Sequence, residues 1–345
     1  MKYFLYALFF FFCFSAYSYS QVEPEWVTTY VGLGSPVSLD YTRAIALDLM
    51  GNIYVTGESY GPAGNIDFLT IKINSLGDTL WTRSYNGTGN GMDKATDIAV
   101  DLLGNVFVTG RSQGATTDWD YVTIKYNSLG DLDWISNYNG YGGVSQGQDI
   151  AIAICVDDMG NSYVTGNSNV WTGNLDDILT VKYNSSGDTV WTNRYNGPLS
   201  VGDQAYSIKV DDLGNVYVAG SVDANSNLGT RDFCTIKYNS AGVQQWVGRY
   251  NGPDSKVDEA RALDVDPLGN VFVTGYSEST SNGVDYATVK YNSVGVQQWA
   301  SRFTYTNSSE TASDIVSDSS GNCYVTGTSR NNLNWYGCLT IKYNP

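Results

Sequence analysis

The residues best equipped for chemistry come in columns. Asp40, Asp93, Asp149, Asp203, Asp258 and Glu310 each stand eight residues ahead of a recurring turn aspartate. A second column, Asp67, Asp120, Asp177, Asp232 and Asp285, opens a later segment of each unit, with Gly337 in its sixth place. Oxygen ligands without any histidine suit a hard cation, so Ca²⁺ is the metal that a ring built from the first column would take. The spacing holds no contiguous Ca²⁺-loop pattern. An aspartate at a strand start also accepts hydrogen bonds from its own loop amides, and a repeat copies such a latch as readily as a ligand.

The absent histidine excludes Ser-His-Asp and Cys-His nucleophilic sets. No glycine-rich phosphate loop follows a strand pattern. Paired carboxylates could serve a glycosidase or lyase. An acid and a base need different environments, however, and these acids are symmetric copies. The composition therefore favours a non-catalytic protein, with a carbohydrate-active enzyme as the alternative.

Three further patterns show what must position these groups. An Asp-x-x-Gly-Asn turn precedes an apolar run six times, at Gly51, Gly104, Gly160, Gly214, Gly269 and Gly321. A Thr-Ile/Val-Lys motif follows each time, with Lys72, Lys125, Lys182, Lys237, Lys290 and Lys342. These lysines are expected to pair with carboxylates between strands or sheets. Five Trp residues, 81, 134, 191, 246 and 299, each precede an aromatic by four residues, and an extra pair, Trp26/Tyr30, stands ahead of the first unit. Each unit thus reads as four short strands, a to d. The a–b turn, as in Asp266-Pro267-Leu268-Gly269, has the residues of a type I turn closed by a left-handed glycine.

Four-stranded units repeated radially define a propeller. The last unit holds a, b and c and stops at Asn344-Pro345, while a spare d segment lies around Trp26. The expected fold is all-β: a six-bladed β-propeller of four-stranded antiparallel blades, closed by the N-terminal strand completing the last blade. Strand a would line the channel. Both carboxylate columns would crowd one face, together with the variable d–a and b–c loops.

The stretches Asp258–Gly275 (DEARALDVDPLGNVFVTG) and Asp285–Asn292 (DYATVKYN) resemble the bacterial β-propeller repeat family abbreviated SBBP. That family's name refers to seven blades, whereas six units are present here. The resemblance implies exported or cell-surface bacterial proteins and no single activity.

Residues 1–20 carry Lys2, an apolar run from Phe4 to Phe14, and small residues at Ser18 and Ser20, the pattern of a cleaved secretion signal. Cys13 lacks the neighbours of a lipid attachment site. Residues 21–345 then form a single propeller domain with no later membrane-spanning stretch. Cleavage removes Lys2, leaving 18 basic against 35 acidic residues, a net −17. Such a surface repels nucleic acid and accepts cations, cationic partners or neutral glycans. Cys155, Cys234, Cys323 and Cys338 are expected as buried free thiols.

Function is expected where the repeats differ, because loops on a rigid scaffold gather binding residues. Tyr60, Trp119, Tyr141, Trp171, Trp335 and Tyr336 fall in or beside those loops and could stack on sugar rings or anchor a protein partner. The expected function is an exported, monomeric binding scaffold for a protein or carbohydrate ligand. A purely structural envelope component is the third reading.

Overall fold

The computed structural model describes residues 23–32, 40–61, 64–114, 118–140, 147–170, 175–199, 202–223, 230–280, 283–304, 309–330 and 335–345. These form 23 strands in six antiparallel sheets, and no helix occurs among them. Sheet 1 holds β1–β4 (Tyr41–Leu47, Ile53–Tyr60, Ile66–Ile73, Thr79–Tyr85). Sheet 2 holds β5–β8 (Asp93–Val100, Val106–Gln113, Trp119–Tyr126, Leu132–Tyr138). Sheet 3 holds β9–β12 (Asp149–Val156, Ser162–Val170, Leu175–Tyr183, Thr189–Tyr195). Sheet 4 holds β13–β16 (Gln204–Val210, Val216–Asp223, Arg231–Tyr238, Gln244–Tyr250). Sheet 5 holds β17–β20 (Asp258–Val265, Val271–Ser279, Gly283–Tyr291, Gln297–Phe303). Sheet 6 has three strands, β21–β23 (Glu310–Ser317, Cys323–Arg330, Tyr336–Tyr343). The first strands of successive sheets lie beside one another, so they form the inner wall.

Local chemistry explains the repeated hairpin. Asp48 Oδ1 accepts the amides of Met50 and Asn52, its carbonyl accepts Gly51 N–H, and Gly51 turns at φ +79°. The same arrangement recurs at Asp101, Asp157, Asp211, Asp266 and Asp318. This is the predicted type I turn with a left-handed glycine.

The sheets are joined by aromatics. Trp26, Trp81, Trp134, Trp191 and Trp246 each lie under the glycine of the following c–d turn: Gly77, Gly130, Gly187, Gly242 and Gly295. A Cβ on any of these glycines would come within 2.5–2.8 Å of the indole. Trp26 Nε1 donates to Ser75 O at 3.2 Å, as Trp134 does to Ser185 O at 3.1 Å. The spare N-terminal tryptophan therefore packs on sheet 1 as each d-strand tryptophan packs on the next sheet.

The lysine column departs from expectation. Each lysine lies 4.9–5.6 Å from the centroid of an aromatic ring of its own sheet. Lys72, Lys125, Lys182 and Lys237 donate to a backbone carbonyl in the next sheet's c–d turn: Ser128, Ser185, Ser240 and Ser293. Among the described residues only Lys125 adds a carboxylate, Asp133 at 3.2 Å. A carbonyl suffices because the ring already balances part of the ammonium charge.

The two ends differ from the middle. Ile98, Ile154, Ile208, Leu263 and Ile315 are at most 6% exposed, whereas Ile45, their equivalent in sheet 1, is 69% exposed. Cys155, Cys234, Cys323 and Cys338 are all free thiols, but only Cys234 and Cys323 are buried: Cys155 is half-buried, and Cys338 is exposed. It occupies the place that Phe68, Tyr121, Ile178, Phe233 and Tyr286 fill in sheets 1–5, where the next sheet covers it. Residues 23–32 form no strand, and β23 pairs only with β22 among the described residues. Residues 1–20 lie outside the described residues.

Candidate functional site

The first carboxylate column is taken up within its own sheets. Asp40 accepts Gly32 N–H at 2.8 Å and Ser59 Oγ–H at 2.7 Å. Asp93 accepts Gly87 N–H at 2.7 Å, Asp149 accepts Gly140 N–H at 2.8 Å and the Ser168 hydroxyl, and Asp203 accepts Gly197 N–H. Asp258 accepts Gly252 N–H at 2.6 Å, and Glu310 accepts Ser329 Oγ–H at 3.3 Å. All but Asp40 are buried. From Asp40 to Asp258 each aspartate fastens its own d–a loop, and among the described residues no three acidic or thiol groups gather as a metal would require.

The two columns meet instead at the seams between sheets. Asp67 is pushed up to about 6 by burial and by Asp93 of the next sheet. Asp203 is pushed up to about 6 by burial first, and then by Asp177 and Asp223, despite the Gly197 amide. Asp232 is pushed up to about 6 by burial and Asp258, partly offset by Arg249. Arginines from the d strands relieve some seams: Arg194 reaches Asp177 at 3.2 Å and Arg302 reaches Asp285 at 2.6 Å. Ser84 and Asn137 stand at those arginine positions in sheets 1 and 2.

The loop-face aromatics divide. Tyr60 ends β2 half-buried, and Trp119 opens β7 with the Arg111 guanidinium 4.6 Å from its ring centroid. Trp335 and Tyr336 are each 71% exposed, and Arg330 lies 5.5 Å from the Tyr336 ring centroid. All four lie in or directly beside b–c connections, on sheets 1, 2 and 6. Tyr141 and Trp171 lie outside the described residues.

One set of residues escapes a reading of the repeat alone. Directly after each acidic position on the inner wall, a residue faces a partner on strand b, and this pair differs in every sheet. The pairs are Tyr41 with Glu58, Lys94 with Arg111, Ile150 with Asn167, Gln204 with Ser221, Glu259 with Tyr276, and Thr311 with Thr328. The signal that could have found this column is that aligned repeats disagree there, right beside a position that is always acidic.

Across sheets 4 to 6 this column opens into a recess of about 330 Å³ lined by Tyr206, Arg261, Tyr276, Thr311, Ala312 and Ser313. Buried Glu259 anchors it. Arg261 pairs with Glu259 Oε1 at 2.5 Å, and the Tyr276 hydroxyl donates to Oε2 at 3.1 Å. The Arg261 guanidinium lies 5.0 Å from the Tyr206 ring centroid and 5.6 Å from that of Tyr276. Burial, followed by Glu259, holds both tyrosines above their ordinary range, so they remain hydroxyl donors at neutral pH. The recess offers an arginine, two aromatic rings and several hydroxyls, a set suited to a polyhydroxylated ligand.

Repeated four-stranded sheets around an inner wall define the architecture as a β-propeller. Residues 28–62 and 80–115 match the family model of the SBBP beta-propeller repeat. Similar solved structures include a Dyadobacter fermentans protein of unknown function, at TM-score 0.52 and 10% identity over 88% of this chain and 94% of that one. The polysaccharide lyase Uly1 aligns at TM-score 0.50 and 11% identity, over 94% and 84%. A Penicillium chrysogenum alpha-L-arabinanase, solved with arabinobiose, aligns at 0.50 and 12%, over 87% and 93%. At such identities the likeness establishes the fold alone. No curated protein matches the sequence.

Proposed function

We propose that the protein is an exported, non-catalytic binding module, a six-bladed ring in which the N-terminal segment completes the last blade. The observation that carries the binding reading is the division of labour among the polar groups. The repeated aspartates, lysines and tryptophans are engaged in loops and seams, while the inner-wall pairs and the b–c aromatics change from sheet to sheet. Residues that change against a constant scaffold are free to fit a ligand. The seam carboxylates are buried and occupied with loop amides, hydroxyls or arginines, which favours binding over hydrolysis. The ligand class that fits the recess is a glycan, and the acidic exterior argues against nucleic acid.

Ring closure would make sheets 6, 1 and 2 consecutive, gathering Tyr60, Trp119, Trp335 and Tyr336 along one arc. It would also cover Ile45 and Cys338. Cys338 is therefore expected to react slowly with a thiol reagent in the mature protein and rapidly after deletion of residues 21–33. Equal, fast reaction in both forms would remove the closed ring.

The ligand reading is tested on glycan arrays. Trp119→Ala, Trp335→Ala and Arg261→Ala are each expected to weaken a glycan signal about tenfold or more, with folding unchanged by circular dichroism. A wild type that binds no glycan, or variants indistinguishable from it, would end that reading.

A further inference from the structure

On the inner wall of sheets 1 and 2, two cations reach one carboxylate and a third lies across the strand from one of them. Glu58, buried on β2, accepts Arg43 Nε at 2.9 Å and Nη2 at 2.7 Å, and Lys94 Nζ lies 3.7 Å from its other oxygen. Arg111 is coupled to the same carboxylate and to Arg43, and burial lowers its proton affinity. Lys94 and Arg111 are direct cross-strand partners, the pairing of like charges that antiparallel sheets avoid. The cluster carries two positive charges more than negative ones, in a chain whose overall charge is −16. No fold requirement explains it: the equivalent pairs in sheets 3, 4 and 6 are Ile150/Asn167, Gln204/Ser221 and Thr311/Thr328, all uncharged.

We infer that Arg43, Lys94 and Arg111 form an oxyanion-binding site, with Glu58 partly neutralising them while the site is empty and Trp119 supporting Arg111. The group they fit is a carboxylate or sulfate. Guanidinium N–H pairs match its planar or tetrahedral oxygens, and an anion would supply the missing countercharge. Half of the Arg43 side chain and about a quarter of Lys94 remain open to solvent, so an anion can arrive. The inference rests on the reading of the inner wall as the ligand-facing surface, and it adds a preference for acidic glycans over neutral ones.

Isothermal titration tests it with inorganic sulfate, a glucuronate disaccharide and its neutral glucose counterpart, all at fixed ionic strength. The expected result is saturable binding of sulfate and glucuronate, with at least tenfold weaker binding of the neutral sugar. Tighter binding of the disaccharide than of sulfate would identify the acid group of a glycan as the source, and equal binding a free anion. Lys94→Gln and Arg111→Gln should each weaken binding at least tenfold. Arg43→Gln, on an exposed side chain, serves if either variant misfolds. Glu58→Gln should strengthen binding several-fold, because it removes the carboxylate that competes for the three cations; a merely structural ion pair gives no such gain. Absence of saturable binding in both wild type and Glu58→Gln, or binding unaltered in the three cation variants, overturns the site. These titrations stand apart from the glycan arrays: sulfate binding with silent arrays would retain the oxyanion site and reject the glycan reading.

Discussion

Trp81→Ala is expected to lower the unfolding free energy by about 3–5 kcal/mol, the ordinary cost of emptying a large aromatic site. Trp81 is buried between sheets 1 and 2, with ring centroids of Tyr54 and Tyr126 each 6.1 Å away and Arg83 over its face. Tyr54 belongs to the tryptophan's own sheet and Tyr126 to the next, so the indole links two sheets that share no backbone ladder. Gly130→Ala should be comparably harmful in the wild type for two reasons. The residue turns at φ +86°, and an added Cβ would meet Trp81 at 2.8 Å. In the Trp81→Ala background the collision disappears and only the left-handed strain remains, about 1–2 kcal/mol. Urea unfolding of the two single variants and the double variant measures this coupling. Additive effects, or a Trp81→Ala cost below about 1 kcal/mol, would contradict the packing between the first two sheets.

Much of this arrangement is legible because it is written six times. The Asp-x-x-Gly-Asn spacing reveals the a–b turns, and the Trp column reveals the d strands. What stays hidden depends on which atoms meet across a seam. Lys72 ends at the Ser128 carbonyl, and a backbone acceptor leaves no mark in side-chain spacing. Cys338 occupies a column of buried residues, yet it is exposed because no described sheet lies against it. Spacing alone suggests two open carboxylate rings on one face. Their members instead approach across seams, since the start of a c strand meets the start of the next sheet's a strand. The Lys94/Arg111 and Glu259/Tyr276 pairs escape notice because variable positions within a repeat resemble ordinary surface. Their meaning appears only once they are known to share an inner wall.

Those seam carboxylates set the pH response. Asp67, Asp203 and Asp232, together with Asp97 of β5, whose carboxylate accepts Ile154 N–H from the next sheet, are all held near 6, with burial the largest cause in each. Their ordinary value is 3.8, so the folded protein binds these protons more tightly than the unfolded chain. The sign follows: stability rises as pH falls from 7 through 6 and is fully gained near 4, the reverse of the usual acid response. Each tenfold gain in proton affinity is worth about 1.4 kcal/mol, and solvent reaching the less enclosed seams reduces that figure. The expected gain between pH 7 and pH 5 is on the order of a few kcal/mol, seen as a higher midpoint in urea. Asp67→Asn isolates one seam from the general relief of acidic repulsion. It should stabilise the protein at pH 7, where Asp67 faces Asp93 and Ser84 stands in place of the relieving arginine, and should leave a flatter pH dependence. Ca²⁺ supplies the complementary arm. If a cation can replace the proton at these seams, millimolar Ca²⁺ should raise the pH 7 midpoint and have little effect at pH 5. Identical midpoints with Ca²⁺ and with chelator would assign the role to protons alone, and a midpoint that falls steadily from pH 7 to pH 5 would show that the seams are open to water.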